Sequence, residues 1–164
     1  MPTGLMTTTV FREYSATNMN VEILRMTRDD VKYVAQVDKS VFSVPFKEQD
    51  FYEYLENPLW SFYVAKCDGK IVGYISYMVI YSDADLVNVG ILPEYRGLGI
   101  GTKLLHEMVM DCDSRDVSYI HLEVRKSNSV AIKLYESFGF IVVGVSKNHY
   151  KEPTEDALRM NLCL

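Results

Sequence analysis

The chain lacks several features that would define its class at once. It has no apolar run long enough to span a membrane, so we expect neither a membrane segment nor a membrane partner. It also lacks a basic excess, since 17 Lys and Arg stand against 22 Asp and Glu. The resulting net charge of −5 argues against nucleic acid as a partner. This balance suits a cationic substrate such as an amine, and it equally fits acidity that only keeps a protein soluble.

The cysteines and histidines also lack the short spacings that are typical of metal-binding sites. The three cysteines, Cys67, Cys112 and Cys163, are far apart and odd in number, which fits a reduced cytoplasmic protein better than a disulfide scaffold. The histidines show no ligand spacing either, and they are His106, His121 and His149. We therefore predict no metal site.

The length of 164 residues suits one domain with a hydrophobic core. Residues 1–20 have no basic region leading into an apolar stretch, so they do not read as a secretory signal. We predict an N-terminal extension over residues 1–20, flexible or forming an extra edge element. The domain itself is predicted over residues 21–164.

Hydrophobic periodicity predicts an α/β domain. A strand is expected over residues 21–25, a helix from Thr27 to about Ser40, and a second helix over residues 47–56. Two β-rich runs flank Asp68-Gly69, a hairpin signal. The later strands are predicted over residues 85–92, 117–124, 140–145 and 157–164, and the later helices over residues 101–113 and 127–138. This order predicts a mixed sheet with helices on both faces.

The most informative feature is the glycine-rich stretch RGLGIGT between a predicted strand and a predicted helix. Glycines let a backbone approach an anion, and the helix start directs free N–H groups at it. A phosphate-bearing ligand is therefore expected, unless the glycines form only a tight connection. A P-loop does not fit, because Thr102 stands between Gly101 and Lys103. A dinucleotide fingerprint fits poorly, because Thr102 replaces its third glycine and residues 92–95 lengthen the turn; Glu123, placed like a ribose-binding acid, keeps this alternative open.

This loop and its flanks resemble the GNAT acetyltransferase superfamily. Arg96-Gly97-Leu98-Gly99-Ile100-Gly101 matches the Arg/Gln-x-x-Gly-x-Gly/Ala motif of that superfamily. Further segments resemble its N-terminal acetyltransferases of the ribosomal-protein alanine type, and these are NVGI, PEY, LEVR, SN, AI, LYESFGF, NHY and EDALRM. The resemblance covers most of residues 21–164. It implies a single-domain GNAT fold, in which a mixed, mostly antiparallel sheet has about seven strands.

The resemblance also implies acetyl-CoA as the acetyl donor. The backbone of Val89, Gly90 and Ile91 would pair with the pantetheine arm like an added strand. Asn128 would bind near the amide of that arm, and Tyr135 would lie at the thioester sulfur. The loop that would hold the pyrophosphate consists of Arg96, Gly97, Leu98, Gly99, Ile100, Gly101 and Thr102.

Attack on a thioester requires a neutral amine. Deprotonation at pH 7 costs about 1 kcal/mol for an α-amine but about 4.6 kcal/mol for a lysine. A carboxylate, acting directly or through one water, is an adequate base for the α-amine. The resemblance gives this role to Glu123 and the role of general acid to Tyr135. Taken alone, Glu123 and Arg125 share a strand face and can form an ion pair, and Tyr135 beside Leu134 and Phe138 can be core packing.

The substrate side departs from the family. The segment FSVPF at residues 42–46 resembles the family's aromatic-Pro-aromatic loop, where tryptophan often follows the proline. The paired tyrosines of the late hairpin are His149-Tyr150 here. The resemblance implies that the peptide's first residues contact Phe42, Pro45, Phe46 and Tyr150, although Tyr150 fits a hairpin rim equally well. His121 alternates with Glu123 and either relays protons or is a structural histidine.

The sequence therefore predicts a cytoplasmic, acetyl-CoA-dependent N-acetyltransferase. Its expected acceptor is the free α-amino group of a protein or peptide N-terminus, attacked directly in a ternary complex. Two alternatives stay open: acetylation of a lysine or a small-molecule amine, and a non-catalytic CoA-binding module. Some relatives work with an auxiliary subunit, which nothing in this sequence indicates.

Overall fold

The computed structural model describes residues 19–164, so the predicted extension over residues 1–20 lies outside the described residues except for its last two positions. The strands are β1 (Val21–Arg25), β2 (Trp60–Cys67), β3 (Lys70–Ile80), β4 (Asp83–Ile91), β5 (Tyr119–Arg125), β6 (Ile141–Tyr150) and β7 (Glu155–Cys163). The helices are α1 (Val31–Val41), α2 (Glu48–Glu56), α3 (Ile100–Ser114) and α4 (Ser129–Ser137), with short 3-10 turns at Arg28–Asp30 and Pro93–Tyr95. Within residues 19–164, no helix is both long enough and apolar enough to cross a membrane.

The seven strands form one sheet in the order β1-β2-β3-β4-β5-β7-β6. Neighbouring strands are antiparallel except β4 and β5, which are parallel. The turn between β2 and β3 is Asp68-Gly69, as predicted, and both residues have positive φ, 49° and 83°. Two-residue hairpins of this kind require that conformation. The predicted mixed, mostly antiparallel sheet is therefore confirmed.

Helices cover both faces of the sheet because its central strands are apolar on both sides. α1 and α2 pack on one face, where Val34 and Phe51 join Val64 of β2 in a buried cluster. α3 and α4 pack on the other face, where Leu105 joins Ala65 of the same strand. Complete burial of one such aliphatic or aromatic side chain contributes about 1.5–3 kcal/mol. The two clusters hold β4 and the start of α3 in fixed positions.

One predicted boundary is confirmed and another is wrong. Thr27 caps the helical segment as predicted, since Asp30 Oδ2 accepts a hydrogen bond of 2.9 Å from Thr27 N, although the first turn is a 3-10 turn and α1 begins at Val31. The strand predicted over residues 140–145 continues to Tyr150, because β6 pairs with β7 again at Tyr150 after an irregular stretch. Asn148 has a φ of 51° in that stretch, which breaks the alternation on which the prediction depended. The longer strand brings His149, near the end of β6, into contact with Glu123 of β5, although β7 lies between the two strands in the sheet.

Candidate active site

The parallel strands β4 and β5 separate after a short stretch of pairing. Residues 83–85 pair with residues 119–121, and the pairing between these two strands ends there. A bulge at Val87 accompanies the separation, because Leu86 pairs with Tyr77 and Asn88 with Ser76, which leaves Val87 between them. The β5-facing edge of β4 over residues 86–91 therefore presents backbone N–H and C=O groups to an extended ligand.

The three residues expected to pair with a pantetheine arm lie on this open edge. Val89, Gly90 and Ile91 pair on their other side with β3, so the strand is held in place without its β5 partner. A Cβ added at Gly90 would lie 3.1 Å from a ring carbon of Phe42 and 3.3 Å from one of Tyr74. The missing side chain therefore lets the loop after α1 approach the splayed strand closely.

The glycine-rich loop has the geometry of an anion site. Gly97 and Gly99 have φ of 76° and 79°, and a Cβ at either position would meet nothing within 4 Å. Gly99 is the N-cap of α3 and makes no side-chain cap, so the N–H groups of the first turn face open space. Arg96 Nε donates to the Ile91 carbonyl at 3.0 Å, which ties the loop to the end of β4.

This donor set fits the pyrophosphate of acetyl-CoA. An anion at the start of α3 would meet backbone N–H groups and the positive end of the helix dipole. Beside it, the open edge of β4 suits the amide-bearing arm of the same molecule. The loop and the strand are adjacent in the fold, because Ile91 is 3.3 Å from a Cβ added at Gly101.

Asn128 lies at the N-cap of α4, near the open end of the separated strands. Its Oδ1 accepts a hydrogen bond of 3.2 Å from Ala131 N, so half of the side-chain amide holds the helix. The segment before it is held by Glu155, whose carboxylate accepts from Ser127 N at 2.7 Å and from Ser127 Oγ at 2.9 Å. These bonds lower the pKa of Glu155. Sequence reasoning missed Glu155, because its partner is 28 positions away.

Glu123 does not form the ion pair with Arg125 that its strand spacing allows. Its Oε2 lies 2.7 Å from Nε2 of His149, on the hairpin strand β6. Arg125 instead donates to the Pro153 carbonyl at 2.9 Å and contacts Glu155 at 3.4 Å. The second carboxylate oxygen of Glu123 is therefore the one available to a substrate.

Tyr135 on α4 lies near Tyr150 at the end of β6. Tyr135, on α4, is 8% exposed and packs against Phe140 with ring centres 5.7 Å apart. Burial, with a smaller effect from Tyr150, raises the pKa of Tyr135 to about 12. Burial and the nearby charge of Glu123 also raise the pKa of Tyr150, whose ring lies 4.4 Å from the Arg125 guanidinium carbon. The two tyrosines and Glu123 therefore share one electrostatic environment, and Tyr135 is also a core residue.

The loop at residues 42–46 lies over the face of the sheet covered by α1 and α2. Phe42 contacts Gly90 of the open strand. Phe46 turns inwards and packs edge-on against Phe51 at 5.6 Å and Tyr54 at 5.5 Å. Pro45 is exposed between them. Phe42 and Pro45 are therefore nearer to a substrate position than the ring of Phe46, which anchors the loop.

A buried carboxylate that sequence reasoning missed fixes this loop at both ends. The Asp38 carbonyl accepts from Phe42 N at 2.9 Å, and Asp38 Oδ2 accepts from Phe46 N at 2.7 Å. Asp38 Oδ1 accepts from the Tyr74 hydroxyl, which in turn accepts from Asn88 Nδ2 at 3.2 Å. The chain of bonds runs from the loop to the open strand β4. An acid among apolar positions of an amphipathic helix was the available signal.

His121 lies where β4 and β5 are still paired. Its Nε2 is 2.8 Å from Asp83 Oδ1 and its Nδ1 is 2.8 Å from Asn161 Oδ1. The contact with Asp83, despite partial burial, raises the pKa of His121. Both ring nitrogens have partners, which supports the structural role among the two that the sequence allowed.

Comparisons with known proteins agree with this geometry. Residues 31–140 match the profile of the acetyltransferase (GNAT) family. A candidate ribosomal protein bS18-alanine N-acetyltransferase of Bacillus subtilis (strain 168) is 37% identical over 139 residues, which are 84% of this chain and 92% of that protein. The ribosomal protein bS18-alanine N-acetyltransferase of Escherichia coli (strain K12) is 30% identical over 81% of this chain and 90% of its own. The crystal structure of an Escherichia coli ribosomal-protein-S18-alanine N-acetyltransferase has a TM-score of 0.81 at 27% identity and covers 88% of this chain and 94% of its own.

Proposed function

The chain belongs to the GNAT acetyltransferase family and is an acetyl-CoA-dependent N-acetyltransferase, and from this premise we propose that it acetylates the free α-amino group of protein N-termini. One observation carries the proposal. The separation of β4 from β5 after residues 85 and 121 leaves the edge of β4 unpaired beside the strand that carries the partly exposed carboxylate of Glu123. The names of the two relatives, which are given for alanine N-acetylation of a ribosomal protein, support the same acceptor class.

Glu123 is proposed as the general base. An α-ammonium group must lose a proton before its nitrogen can attack, which costs about 1 kcal/mol at pH 7. The side chain of Glu123 is 36% exposed, and one of its oxygens is held by His149, so the other oxygen can reach a substrate directly or through one water. Lysine would need about 4.6 kcal/mol for the same step, which favours the α-amine as acceptor.

Tyr135 is proposed as the general acid. Bound acetyl-CoA supplies the acetyl group as a thioester, and its sulfur leaves as a thiolate that needs a proton. Because burial raises the pKa of Tyr135 to about 12, its hydroxyl keeps its proton across the working pH range. The phenol can donate that proton from its Oη to the departing sulfur.

The proposed holders of acetyl-CoA are backbone groups and two side chains. Val89, Gly90 and Ile91 would pair with the arm. The N–H groups of the glycine-rich loop and the first turn of α3 would hold the pyrophosphate. Arg96 keeps its terminal nitrogens beyond its bond to Ile91, and Asn128 keeps its amide nitrogen beyond its cap of α4.

The proposed acceptor segment lies between the loop at residues 42–46 and the end of β6. Phe42, Pro45, Phe46 and Tyr150 would border the first residues of the peptide. We propose the cytoplasm as the compartment, because the relatives are named for a ribosomal protein.

A peptide assay tests the acceptor. Purified protein is incubated with acetyl-CoA and with two matched peptides that contain one lysine: one has a free N-terminal alanine, and the other is blocked there. We expect product only on the free peptide, at the α-amine, as located by fragmentation mass spectrometry. Acetylation of the blocked peptide at an equal rate would refute the proposal in favour of a lysine acceptor, and the absence of any turnover with CoA binding retained would favour a non-catalytic module.

A further inference from the structure

We propose that His149 receives the substrate's proton from Glu123 and passes it to solvent, so that the two side chains form a proton relay. This inference rests on the proposed function, because it concerns the same site and the same α-amine. The relay depends on the extension of β6 to Tyr150, because His149 at the end of that strand contacts Glu123 of β5. It gives a role to this contact.

The geometry of the pair suits proton transfer. Nε2 of His149 lies 2.7 Å from Oε2 of Glu123, a separation within the range for transfer between two heavy atoms. The side chain of His149 is 43% exposed, so the far side of the imidazole reaches solvent. Tyr150 holds the ring from its edge, with ring centres 4.9 Å apart at 86°. The imidazole is thus fixed at the carboxylate and open at its other nitrogen.

The contrast with His121 supports a function for the pair. His121 has Asp83 and Asn161 at its two ring nitrogens, which is the arrangement of a histidine that holds strands together. His149 contacts only one carboxylate among the hydrogen bonds and ion pairs of the described residues. That carboxylate is the one that the family resemblance and the cleft both assign to the amine.

The relay closes the proton balance of the reaction. When an α-ammonium and a thioester become an amide and a thiol, the nitrogen loses two protons. One proton replaces the one that Tyr135 gives to the sulfur, and the other must reach solvent. In the relay, the proton that leaves the ammonium before the attack moves to Glu123 and from Oε2 to the unprotonated Nε2 of His149, while the proton on Nδ1 leaves to water. The C–N bond then forms as the C–S bond breaks, and the nitrogen's other proton replaces the one that Tyr135 gives to the sulfur.

Reference acidities show why an imidazole helps. An α-ammonium has a pKa near 7.8, a glutamic acid near 4.3 and an imidazolium near 6.5. Equilibrium transfer from the amine to a carboxylate is therefore disfavoured by about 3,000-fold, and transfer to an imidazole by about 20-fold. At pH 7 about one seventh of the α-amine is already neutral, so help with its deprotonation can contribute at most about 7-fold, and we expect an effect of about 5-fold.

The other charged and titratable groups around the pair are Arg125, Lys147, Tyr150, Glu155, Asp156 and Arg159. All of them except Arg159 contact one another. Arg125 contacts Glu155 and the ring of Tyr150, and Lys147 contacts Asp156 at 3.3 Å. Arg159 lies across from Glu123 on β7, with its guanidinium beside Gly144 of β6. The contact between His149 and Glu123 is therefore the direct route from the carboxylate to an exposed ring.

The test compares pH profiles of kcat/KM on a short free-alanine peptide. His149→Gln keeps a polar side chain but cannot gain and lose a proton, and His106→Gln makes the same change on the exposed face of α3 as the matched control. At pH 7 we expect His149→Gln to lower kcat/KM about 5-fold, with the KM for acetyl-CoA unchanged and His106→Gln within twofold of wild type. At pH 9, where the α-amine is mostly neutral without help, the loss should shrink to within twofold.

A double variant separates the relay from a structural role. Adding His149→Gln to Glu123→Gln should change kcat/KM by less than twofold, because the relay acts through the carboxylate. A defect of His149→Gln that persists at pH 9, or one that adds fully to Glu123→Gln, would overturn the relay and assign His149 to hairpin structure. Wild-type activity on free α-amines with an unaffected His149→Gln would also overturn the relay alone. No turnover of any free α-amine by the wild type would overturn the proposed function and the relay together.

Discussion

Replacing the buried carboxylate of Asp38 should weaken both the fold and the binding of the acceptor. In Asp38→Ala, the Tyr74 hydroxyl and the Phe46 N–H lose their acceptor in a site where Asp38 and Tyr74 are fully buried. Each unpaired buried donor costs about 1–3 kcal/mol. Part of this loss is offset, because the variant no longer has to bury a carboxylate. We therefore expect a loss of about 2–4 kcal/mol in the free energy of unfolding. Asp38→Asn keeps an acceptor for Phe46 N–H and should lose about 1–2 kcal/mol.

The sign of the pH effect follows from the environment of Asp38. Burial raises the pKa of Asp38 above its ordinary value, against the lowering by the bonds from Tyr74 and Phe46. The folded chain then holds this proton to a higher pH than the unfolded chain does, so the carboxyl's contribution to stability falls as the pH rises from about 4. Asp38→Asn has no such proton, and its free energy of unfolding should decline less over the same interval.

The assay is urea unfolding at pH 4–7 together with steady-state kinetics. The control is Asp113→Ala, which makes the same change at an exposed position of α3 and should alter stability by less than about 0.5 kcal/mol. Because the loop at residues 42–46 loses its anchor, the peptide KM of Asp38→Asn should rise several-fold while the acetyl-CoA KM stays within twofold. An Asp38→Ala protein that is within 0.5 kcal/mol of wild type, with an unchanged peptide KM, would refute this account of the loop.

Three further predictions concern the cofactor loop, the acid and the closed end of the strands. Gly99→Ala places a side chain at a φ of 79°, which costs about 1–2 kcal/mol. We expect the Kd for acetyl-CoA, measured by calorimetry, to rise about 10-fold, and an unchanged Kd would contradict an anion site at this loop. Tyr135→Phe should lower kcat about 100-fold with little change in the acetyl-CoA KM, and a kcat near wild type would leave Tyr135 as a packing residue only. His121→Gln should lose stability at pH 6 and little at pH 9, because the contact with Asp83 raises the pKa of His121 in the folded chain. The stabilisation from the protonated imidazole is complete below about pH 6.5 and disappears as the pH rises through the pKa of His121 in the folded chain. An equal loss of stability at both pH values in urea unfolding would contradict this.

Local patterns predicted the elements that depend on local physics. The Asp68-Gly69 turn, the helix predicted over residues 101–113 and the glycines before α3 each act over a few residues, and the structure has them. The positive φ of Gly97 and Gly99 and the helix start after them depend on neighbouring residues in the same way.

Contacts between distant residues were out of reach of such patterns. Asp38 and Tyr74 are 36 positions apart, and nothing in either neighbourhood indicates that they meet. The spacing of Glu123 and Arg125 suggested a pair, yet each has another partner, because β6 and β7 bring His149 and Glu155 to the same face. The end of β6 was missed because Asn148 interrupts the alternation that sequence reasoning follows.

The sequence by itself determined the order of helices and strands, the glycine-rich loop before α3 and the family resemblance, since these depend on short-range periodicity and backbone preferences. Only the tertiary structure decided where β4 leaves β5, which carboxylate anchors the loop at residues 42–46 and which side chain contacts Glu123. Those outcomes depend on how the sheet twists and on burial that makes polar groups find partners across the fold. The types of residue in the candidate site can therefore be read from the sequence, whereas their arrangement depends on how the chain packs.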